Sequence, residues 1–212
     1  MKMNVKSGMW VLVIATLLAV TSVQAETGTQ RLQHFMKHVK TLDATFTQEV
    51  VSDKGQIAKT AYGTFLLKRP GKFRWQYQSP SPQVIVSDGR NLWIHDIELE
   101  QVTVKPISSG LGSTPAAILL QRHDFNRDYV VLERPAREGL EWVDLRPKKK
   151  NGDFKRILIG LDDQGIQAMD LYDQFGQITM IRFQESQVNK SISNSKFKFT
   201  PPPGADVIGK PS

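Results

Sequence analysis

Two histidines of this chain have the spacing of metal ligands on a helix. His34 and His38 lie four residues apart, so a helix would place both imidazoles on one face, where they can bind a metal ion. A hydrolytic metal helix also carries a glutamate between its histidines as the general base, and none occurs here. We therefore expect both histidines to be surface positions that flank Phe35 and Val39.

The remaining polar residues form no catalytic set in the sequence. His95 and His123 are isolated, and Asp162-Asp163 precedes a glycine turn, where aspartates are favoured because they hydrogen-bond to nearby backbone. The sequence contains no phosphate-binding loop and no nucleophile elbow. It has no cysteine, which excludes disulfides and thiolate metal sites. The sequence thus predicts a protein that is not an enzyme and that needs no metal ion or cofactor.

Arg69 is the charged residue whose position suggests a function. Strict alternation through residues 64–69 puts Arg69 on the same face as Phe65 and Leu67, which is the face predicted to be interior. An inward guanidinium is costly unless its donors are satisfied. Arg69 could lie at the end of the strand, beside Pro70, and reach water. Alternatively, it could donate hydrogen bonds to backbone carbonyls of a helical lid and act as a latch that opens when a ligand displaces the lid.

The elements that position these residues are mostly β-strands. Residues 72–77 alternate between polar and aromatic side chains, which is the period of a strand with one buried face. Similar patterns, separated by Gly, Pro, Asn and Asp turn signals, predict further strands at 45–50, 64–68, 83–87, 91–96, 100–105, 128–134, 140–146, 154–161, 166–172, 177–185 and 196–200.

Two helices complete the predicted elements. The first has apolar residues at i, i+3, i+4 and i+7 from Leu32. The second covers 114–121, with Thr114 as its N-cap and Pro115 at its first position. About eleven consecutive antiparallel strands in one domain would curl or close on themselves. We therefore expect a mainly β protein, a barrel or strongly curved sheet with one open end covered by short helices.

Bulky apolar residues of the first strands share one face of the predicted sheet. They are Phe46, Phe65, Leu67, Phe73, Trp75 and Tyr77. One interpretation is that these side chains fill the barrel as an ordinary core. The other is that they line a cavity for acyl chains, since larger barrels enclose ligands and such ligands require apolar walls.

The N-terminus has the layout of a secretory signal peptide. Lys2 and Lys6 precede an apolar run over 10–20, and Val23-Gln24-Ala25 provides small residues for cleavage. The run is shorter than the roughly 20 residues that span a bilayer. We expect residues 1–25 to be removed and residues 26–212 to form a single exported domain.

The chain is basic, with a formal net charge of +7. An anionic membrane surface, an acidic partner or a nucleic acid could bind such a protein. The basic residues are scattered in the sequence, and Lys148-Lys149-Lys150 precedes Asn151-Gly152, which indicates a solvated turn. We do not expect nucleic acid as a partner.

Several short segments occur together in a distinctive order. They are Phe46-Thr47-Gln48, Leu67-Lys68-Arg69-Pro70-Gly71-Lys72-Phe73-Arg74-Trp75, Val86-Ser87-Asp88-Gly89 with Leu92-Trp93, Thr114-Pro115 with Leu119-Leu120, and Phe197-Lys198-Phe199-Thr200-Pro201-Pro202 with Gly204-Ala205-Asp206. In this order the chain resembles the outer-membrane lipoprotein carrier family LolA from about residue 30 to residue 209.

The resemblance implies an incomplete β-barrel with a helical lid, free in the periplasm as a monomer. Its cargo would be triacylated lipoproteins, received from an inner-membrane ABC-type lipoprotein-releasing complex and passed to the outer-membrane lipoprotein receptor LolB. Arg69 matches the family's latch arginine. The acyl-chain surface would comprise Met36, Phe46, Phe65, Leu67, Phe73, Trp75, Ala116, Ile118 and Leu119. The small pair Ala116-Ala117 departs from the bulkier lid that is usual in the family.

Three other functions remain open from the sequence. The receptor shares the fold expected here, but it is a lipoprotein, and this chain has no cysteine for lipid attachment. A periplasmic regulatory module could use the same half-barrel to sense lipids or lipoproteins. A hydrolase acting on lipid or envelope polymer would need a catalytic set that the sequence does not contain.

Overall fold

The computed structural model describes residues 26–110, 114–120, 125–149 and 152–212. The predicted signal peptide, residues 1–25, lies outside these ranges. Within them, no helix is long and apolar enough to cross a membrane.

Within these ranges, twelve strands form one sheet that is not closed into a complete barrel. They are β1 (Thr41–Val51), β2 (Ile57–Lys68), β3 (Lys72–Ser79), β4 (Gln83–Asp88), β5 (Asn91–Asp96), β6 (Gln101–Pro106), β7 (Tyr129–Arg137), β8 (Leu140–Pro147), β9 (Phe154–Asp162), β10 (Gly165–Asp173), β11 (Ile178–Val188) and β12 (Asp206–Gly209). Their order is β12-β6-β5-β4-β3-β2-β1-β11-β10-β9-β8-β7, with β7 and β12 at the edges. All pairs are antiparallel except β12 with β6. This confirms the predicted unclosed, mainly antiparallel architecture.

Alternation along the strands gives the sheet one apolar face. In β3, Phe73 and Trp75 are buried and the residues between them are less so. The register of β2 with β3 places Leu67 opposite Phe73 and Phe65 opposite Trp75. Because side chains directly opposite one another project to the same side of a sheet, these four form a continuous apolar surface. This surface is the interior of the fold.

A helix from the N-terminal part of the domain covers part of this interior. Helix α1 (Gly28–His38) begins with a capping box, in which Thr27 and Gln30 each accept a hydrogen bond from the other's backbone. Its apolar stripe buries Leu32 and Phe35 in the main core. The predicted helical period was therefore correct.

The other helices are short. They are α2 (Ile107–Gly110), α3 (Pro115–Leu119), α4 (Phe125–Asp128) and a 3₁₀ helix (Asn194–Phe197). Helix α3 has Thr114 at its N-cap position and Pro115 at its start, as predicted, and Leu120 forms its C-cap. Gln121, the last residue of the predicted helix, lies outside the described residues.

The predicted strand at 196–200 was wrong. Residues 194–197 form a 3₁₀ helix, residues 198–200 are irregular, and the last strand is β12. Phe197 is fully buried, and Phe199 packs on Trp93 with 5.6 Å between ring centroids. The alternating aromatic residues therefore anchor an irregular segment to the sheet, and the prolines that follow could not donate to a strand ladder.

Gly63 provides a test of how tightly the interior is packed. A Cβ at Gly63 would lie 2.0 Å from the backbone oxygen of Gln76 and 2.8 Å from the Phe46 ring. We expect Gly63→Ala to lower the free energy of unfolding by about 2 kcal/mol, because the backbone must move. Urea denaturation measures the change. Gly152→Ala is the control, since a Cβ there has no neighbour within 4 Å in the described part of the chain. Equal urea midpoints for the two variants would contradict the prediction.

Candidate functional site

Aromatic side chains meet at the centre of the interior. The Trp75 ring lies 4.9 Å from Phe46, 4.7 Å from Phe65 and 6.1 Å from Phe183, between centroids. Tyr77 lies 5.3 Å from Phe46 in an edge-on arrangement. These rings come from β1, β2, β3 and β11, so the sheet must curve to bring them together. Such an arrangement offers a broad apolar surface with little polar contact.

The structure brings all nine predicted binding residues into one cluster. Eight of them are buried there, namely Phe46, Phe65, Leu67, Phe73, Trp75, Ala116, Ile118 and Leu119, and Met36 packs against the cluster with partial exposure. Helix α1, strands β1 to β3 and helix α3 supply them. Their contact with acyl chains is a prediction, but their convergence on one surface is a structural fact.

The sequence reasoning missed half of this surface. Strands β8 to β11 supply further buried residues to the same cluster, namely Val143, Leu145, Ile157, Ile159, Leu161, Ile166, Met169, Leu171, Ile181 and Phe183. Alternation in 157–161 was the available signal. It was less visible than the aromatic alternation of β3 because aliphatic residues also occur on the outer face of β9, as Leu158 does.

Helical side chains occupy the interior in this conformation. Phe35 from α1 and Ile118 and Leu119 from α3 are at most 3% exposed and belong to the main core cluster. A ligand that enters the apolar surface must therefore displace helical side chains. The two helices form a lid in this sense, and we call α1 and α3 the lid helices.

Arg69 joins the sheet to a lid helix. It directly follows β2, and its Nε donates a hydrogen bond of 2.9 Å to the carbonyl of Val39, the C-cap of α1. A terminal guanidinium nitrogen lies 3.3 Å from the Met36 sulfur, and the guanidinium carbon lies 5.8 Å from the Phe35 ring centroid. Burial lowers the pKa of Arg69 below its ordinary value. The guanidinium thus satisfies a helix C-terminal carbonyl that would otherwise have no helical partner.

The backbone strengthens this junction. The amide of Arg69 donates a 2.8 Å hydrogen bond to the carbonyl of Lys40. Both the side chain and the main chain of Arg69 therefore bind the segment that connects α1 to β1. The junction lies between the sheet and a lid helix, which is where a latch would have to act.

One polar atom of the aromatic interior is buried without a partner among the described residues. It is Nε1 of Trp75, whose side chain is 2% exposed. An unpaired buried N–H is costly, and it can donate to a ligand acceptor.

His34, His38 and Asp162 make local contacts within their own segments of the chain. The His34 and His38 rings lie 4.4 Å apart on α1, and Nδ1 of His38 is 3.2 Å from the carbonyl of His34. Asp162 accepts hydrogen bonds from the backbone of the turn that follows it. Among the described residues, no three histidine, aspartate or glutamate side chains are grouped so that they could hold a metal ion. His123 lies outside those residues.

Comparisons with known proteins identify the family. Residues 37–200 match the family described as "Outer membrane lipoprotein carrier protein LolA". The chain is 40% identical over 197 residues to an outer-membrane lipoprotein carrier protein of Dechloromonas aromatica, covering 92% of this chain and 95% of that protein. The chain belongs to the LolA family. A carrier of the same name from Cupriavidus necator is 41% identical over 197 residues, covering 90% and 93% of the two chains.

A solved structure with low sequence identity shares the fold of this chain. An uncharacterized conserved protein from Thermus thermophilus superimposes with a TM-score of 0.53 at 13% identity, covering 84% of this chain and 94% of that chain. This likeness concerns the fold alone. The LolA match over 37–200 includes Arg69 and the whole aromatic interior, so most of the residues predicted from the resemblance lie inside the family region.

The ionisation of Tyr77 tests whether the interior is dry. Its hydroxyl donates a 3.0 Å hydrogen bond to Oε1 of Gln48, and burial raises the pKa of Tyr77 to about 12. The unfolded chain ionises near pH 10, so this group contributes stability below about pH 10 that is lost as the pH rises to about 12. We expect an alkaline absorbance titration to show a tyrosinate step near pH 12 that is missing in Tyr77→Phe. The same step in both proteins would contradict this assignment.

Proposed function

We propose that this protein is a periplasmic carrier that binds the acyl chains of lipoproteins and delivers them to the outer membrane, and that it has no enzymatic activity. The observation that carries the proposal is the convergence of the predicted binding residues on one apolar interior, formed by the inner face of the sheet and the lid helices, in a chain of the LolA family. Relatives with about 40% identity carry the name of this function.

The size of the transfer free energy explains why a carrier is needed. Each methylene that leaves water is worth about 0.8 kcal/mol, so one long acyl chain represents on the order of 10 kcal/mol. A lipoprotein with several chains would not leave a membrane for water at a useful rate. An apolar surface enclosed by protein offers the chains an environment similar to the bilayer.

The lid helices also provide a way to release the cargo. When an acyl chain enters, side chains such as Phe35 and Leu119 must leave the interior, which costs part of the binding free energy. When the chain leaves, these side chains return to their buried positions. The small side chain of Ala116 limits how much of the interior α3 fills, which weakens the closed state. Because the returning side chains compete with the cargo, the carrier holds its cargo more weakly than an open apolar groove of equal area would, and the weaker closure at Ala116 makes this difference smaller.

The unpaired indole of Trp75 suits an acylated cargo. Its buried Nε1 has no hydrogen-bond partner among the described residues, and the surroundings are aromatic. The carbonyl oxygen of an acyl ester or amide would accept this hydrogen bond. An alkane without a carbonyl would leave the indole unsatisfied, so the site favours acyl groups over plain hydrocarbons.

The proposal includes the route of the cargo. Residues 1–25 would direct export and be removed, and residues 26–212 would act as a single monomeric domain. Triacylated lipoproteins would be received from the inner-membrane ABC-type lipoprotein-releasing complex and passed to the receptor LolB. The names of the relatives support the lipoprotein cargo and its outer-membrane destination.

Native mass spectrometry tests the carrier function directly. The protein is purified from the periplasm of cells in which lipoprotein export continues but the outer-membrane receptor is depleted. We expect a one-to-one complex with triacylated lipoproteins, and we expect Trp75→Gln to abolish it because a polar side chain removes the centre of the apolar surface.

Trp93→Gln is the matched control for Trp75→Gln. Trp93 is also a buried tryptophan, but it belongs to a separate apolar cluster with Val84 and Val102. It should lose stability without losing cargo, and circular dichroism confirms that both variants are folded. An empty wild-type protein, or one that holds only a small soluble molecule, would contradict the carrier function and favour a sensor module.

Arg69→Leu tests the latch. We expect this variant to fold and to load lipoproteins, but to release them to receptor-containing outer-membrane vesicles at least tenfold more slowly. The physical reason is that the closed lid loses its hydrogen bond to Val39, so its closure no longer offsets the loss of acyl contacts. Transfer is measured as labelled lipoprotein that sediments with the vesicles. Arg90→Leu, at an exposed residue in the turn after β4, is the control. Transfer at the wild-type rate by Arg69→Leu would exclude the latch.

A further inference from the structure

Five arginines from four strands lie together on the outer face of the sheet. They are Arg134 and Arg137 of β7, Arg146 of β8, Arg156 of β9 and Arg182 of β11. Asp144, between the core residues Val143 and Leu145, points to this outer side because side chains alternate along a strand. These five basic residues are thus spread over residues 134–182 in the sequence but clustered in the fold. We call these five arginines the outer arginine cluster.

Asp144 holds three of them. Arg134 pairs with its Oδ2 at short range, Nε of Arg156 lies 3.1 Å from the same oxygen, and a terminal nitrogen of Arg146 lies 3.3 Å away. The Asp144 side chain is fully buried. Burial would raise its pKa, but hydrogen bonds and charge from the three guanidiniums outweigh this and lower it.

Asp170 holds the other two. Arg182 lies 2.6 Å from its Oδ1 and Arg137 lies 3.1 Å from its Oδ2, while the Asp170 side chain is 5% exposed. The guanidinium of Arg137 also stacks on the Trp142 ring, with its central carbon 4.0 Å from the ring centroid. These contacts hold the arginines in fixed positions, so little side-chain entropy remains to be lost when they bind an anion.

The outer arginine cluster carries more positive charge than its carboxylates neutralise. Two buried aspartates cannot balance five guanidiniums, and the arginine side chains remain 31% to 51% exposed. From the solvent side, the guanidiniums cover Asp144 and Asp170, whose side chains are 0% and 5% exposed. If the arginines served only to neutralise Asp144 and Asp170, fewer would be needed.

An exposed aromatic residue lies at one end of this face. Phe175, in the turn between β10 and β11, is 89% exposed. The neighbouring Gln174 donates a 3.3 Å hydrogen bond to the carbonyl of Gly152, so this turn lies beside the loop after β8. That loop carries the exposed Lys148 and Lys149. The Asp173 carboxylate in this turn accepts hydrogen bonds from the backbone amides of Phe175 and Gln177, and the cations lie on the adjacent loop. An exposed apolar side chain at the tip of a hairpin, beside a basic loop, is the layout of a peripheral membrane-binding element.

We propose that the outer arginine cluster, Lys148, Lys149 and Phe175 form a docking surface for bilayers that contain anionic phospholipids. The guanidiniums would bind headgroup phosphates, for which their planar donors are suited, and Phe175 would enter the headgroup region. The five arginines face away from the apolar interior, and Lys148, Lys149 and Phe175 are exposed to solvent. Docking therefore goes beyond the proposed carrier function and does not require a loaded interior.

A bilayer fits these residues better than an acidic protein does. Phe175 stands almost fully exposed on a turn, and a protein partner would need a pocket to bury it, whereas lipid headgroups accommodate such a side chain without a preformed shape. The exposed Val130 and Leu132 lie on the same outer side of β7, at the edge of the sheet, and add apolar area there.

Sedimentation with lipid vesicles tests the proposal. The unloaded protein is mixed with phosphatidylcholine vesicles with or without phosphatidylglycerol. We expect binding only to the anionic vesicles, decreasing as salt is added.

Each basic residue near such a surface contributes about fivefold to the partition coefficient, so Arg146→Gln combined with Lys149→Gln should lower it roughly thirtyfold. Phe175→Ser should lower it about tenfold and, as a turn substitution, does not threaten folding.

The control removes the same charge elsewhere. Lys105→Gln combined with Lys210→Gln changes β6 and the segment after β12, at the opposite edge of the sheet, and should bind vesicles within about twofold of the wild type. All variants should load lipoproteins normally, which separates this test from that of the carrier function. The docking surface is excluded if the wild type does not sediment with anionic vesicles, or if the cluster and control variants bind equally. Binding to an acidic protein but not to vesicles would also overturn it.

Discussion

The structure depends on covering one large apolar face. The twelve strands place aromatic and aliphatic side chains on the inner side of a sheet whose edges, β7 and β12, do not pair with each other. Apolar surface left in water costs about 25 cal/mol per Å², so an open sheet of this kind must be covered. Helices α1 and α3 provide the cover through a few residues each. The cover is therefore extensive enough to bury the interior side chains and small enough to be displaced.

The need to cover the apolar face also links the stability of the closed protein to its proposed function. Side chains from the lid helices occupy the surface that an acyl chain would use, so lid and ligand compete for it. Arg69 adds to the closed state through polar contacts to the end of α1, which an acyl chain cannot replace. Apolar contacts can be exchanged almost evenly between helix and ligand, whereas the hydrogen bonds of Arg69 cannot. The few hydrogen bonds of Arg69 can thus determine whether the lid helices or the ligand occupy the interior.

In strands β7 to β11, one face of the sheet is apolar and the other carries charged side chains. On β8, Val143 and Leu145 point into the apolar core, while Trp142 and Asp144 point outward to arginines. The period of two along a strand makes this separation possible within a few residues. Cargo binding and surface recognition can therefore change independently, because a substitution on one face leaves the other side chains in place.

Much of this protein was determined by its sequence alone. Alternation in 72–77 and the i, i+3, i+4, i+7 stripe of α1 depend only on local geometry, so the strands and the first helix could be predicted, and the ordered motifs around Arg69 indicated the family. Local patterns failed at Phe197 and Phe199, where aromatic alternation anchors an irregular segment to Trp93. They indicated the inner residues of β8 to β11 only weakly, and they could not identify the Val39 carbonyl as the partner of Arg69 or the convergence of five arginines on Asp144 and Asp170. Those features join residues up to tens of positions apart, and only the strand order and register of the folded sheet bring them together.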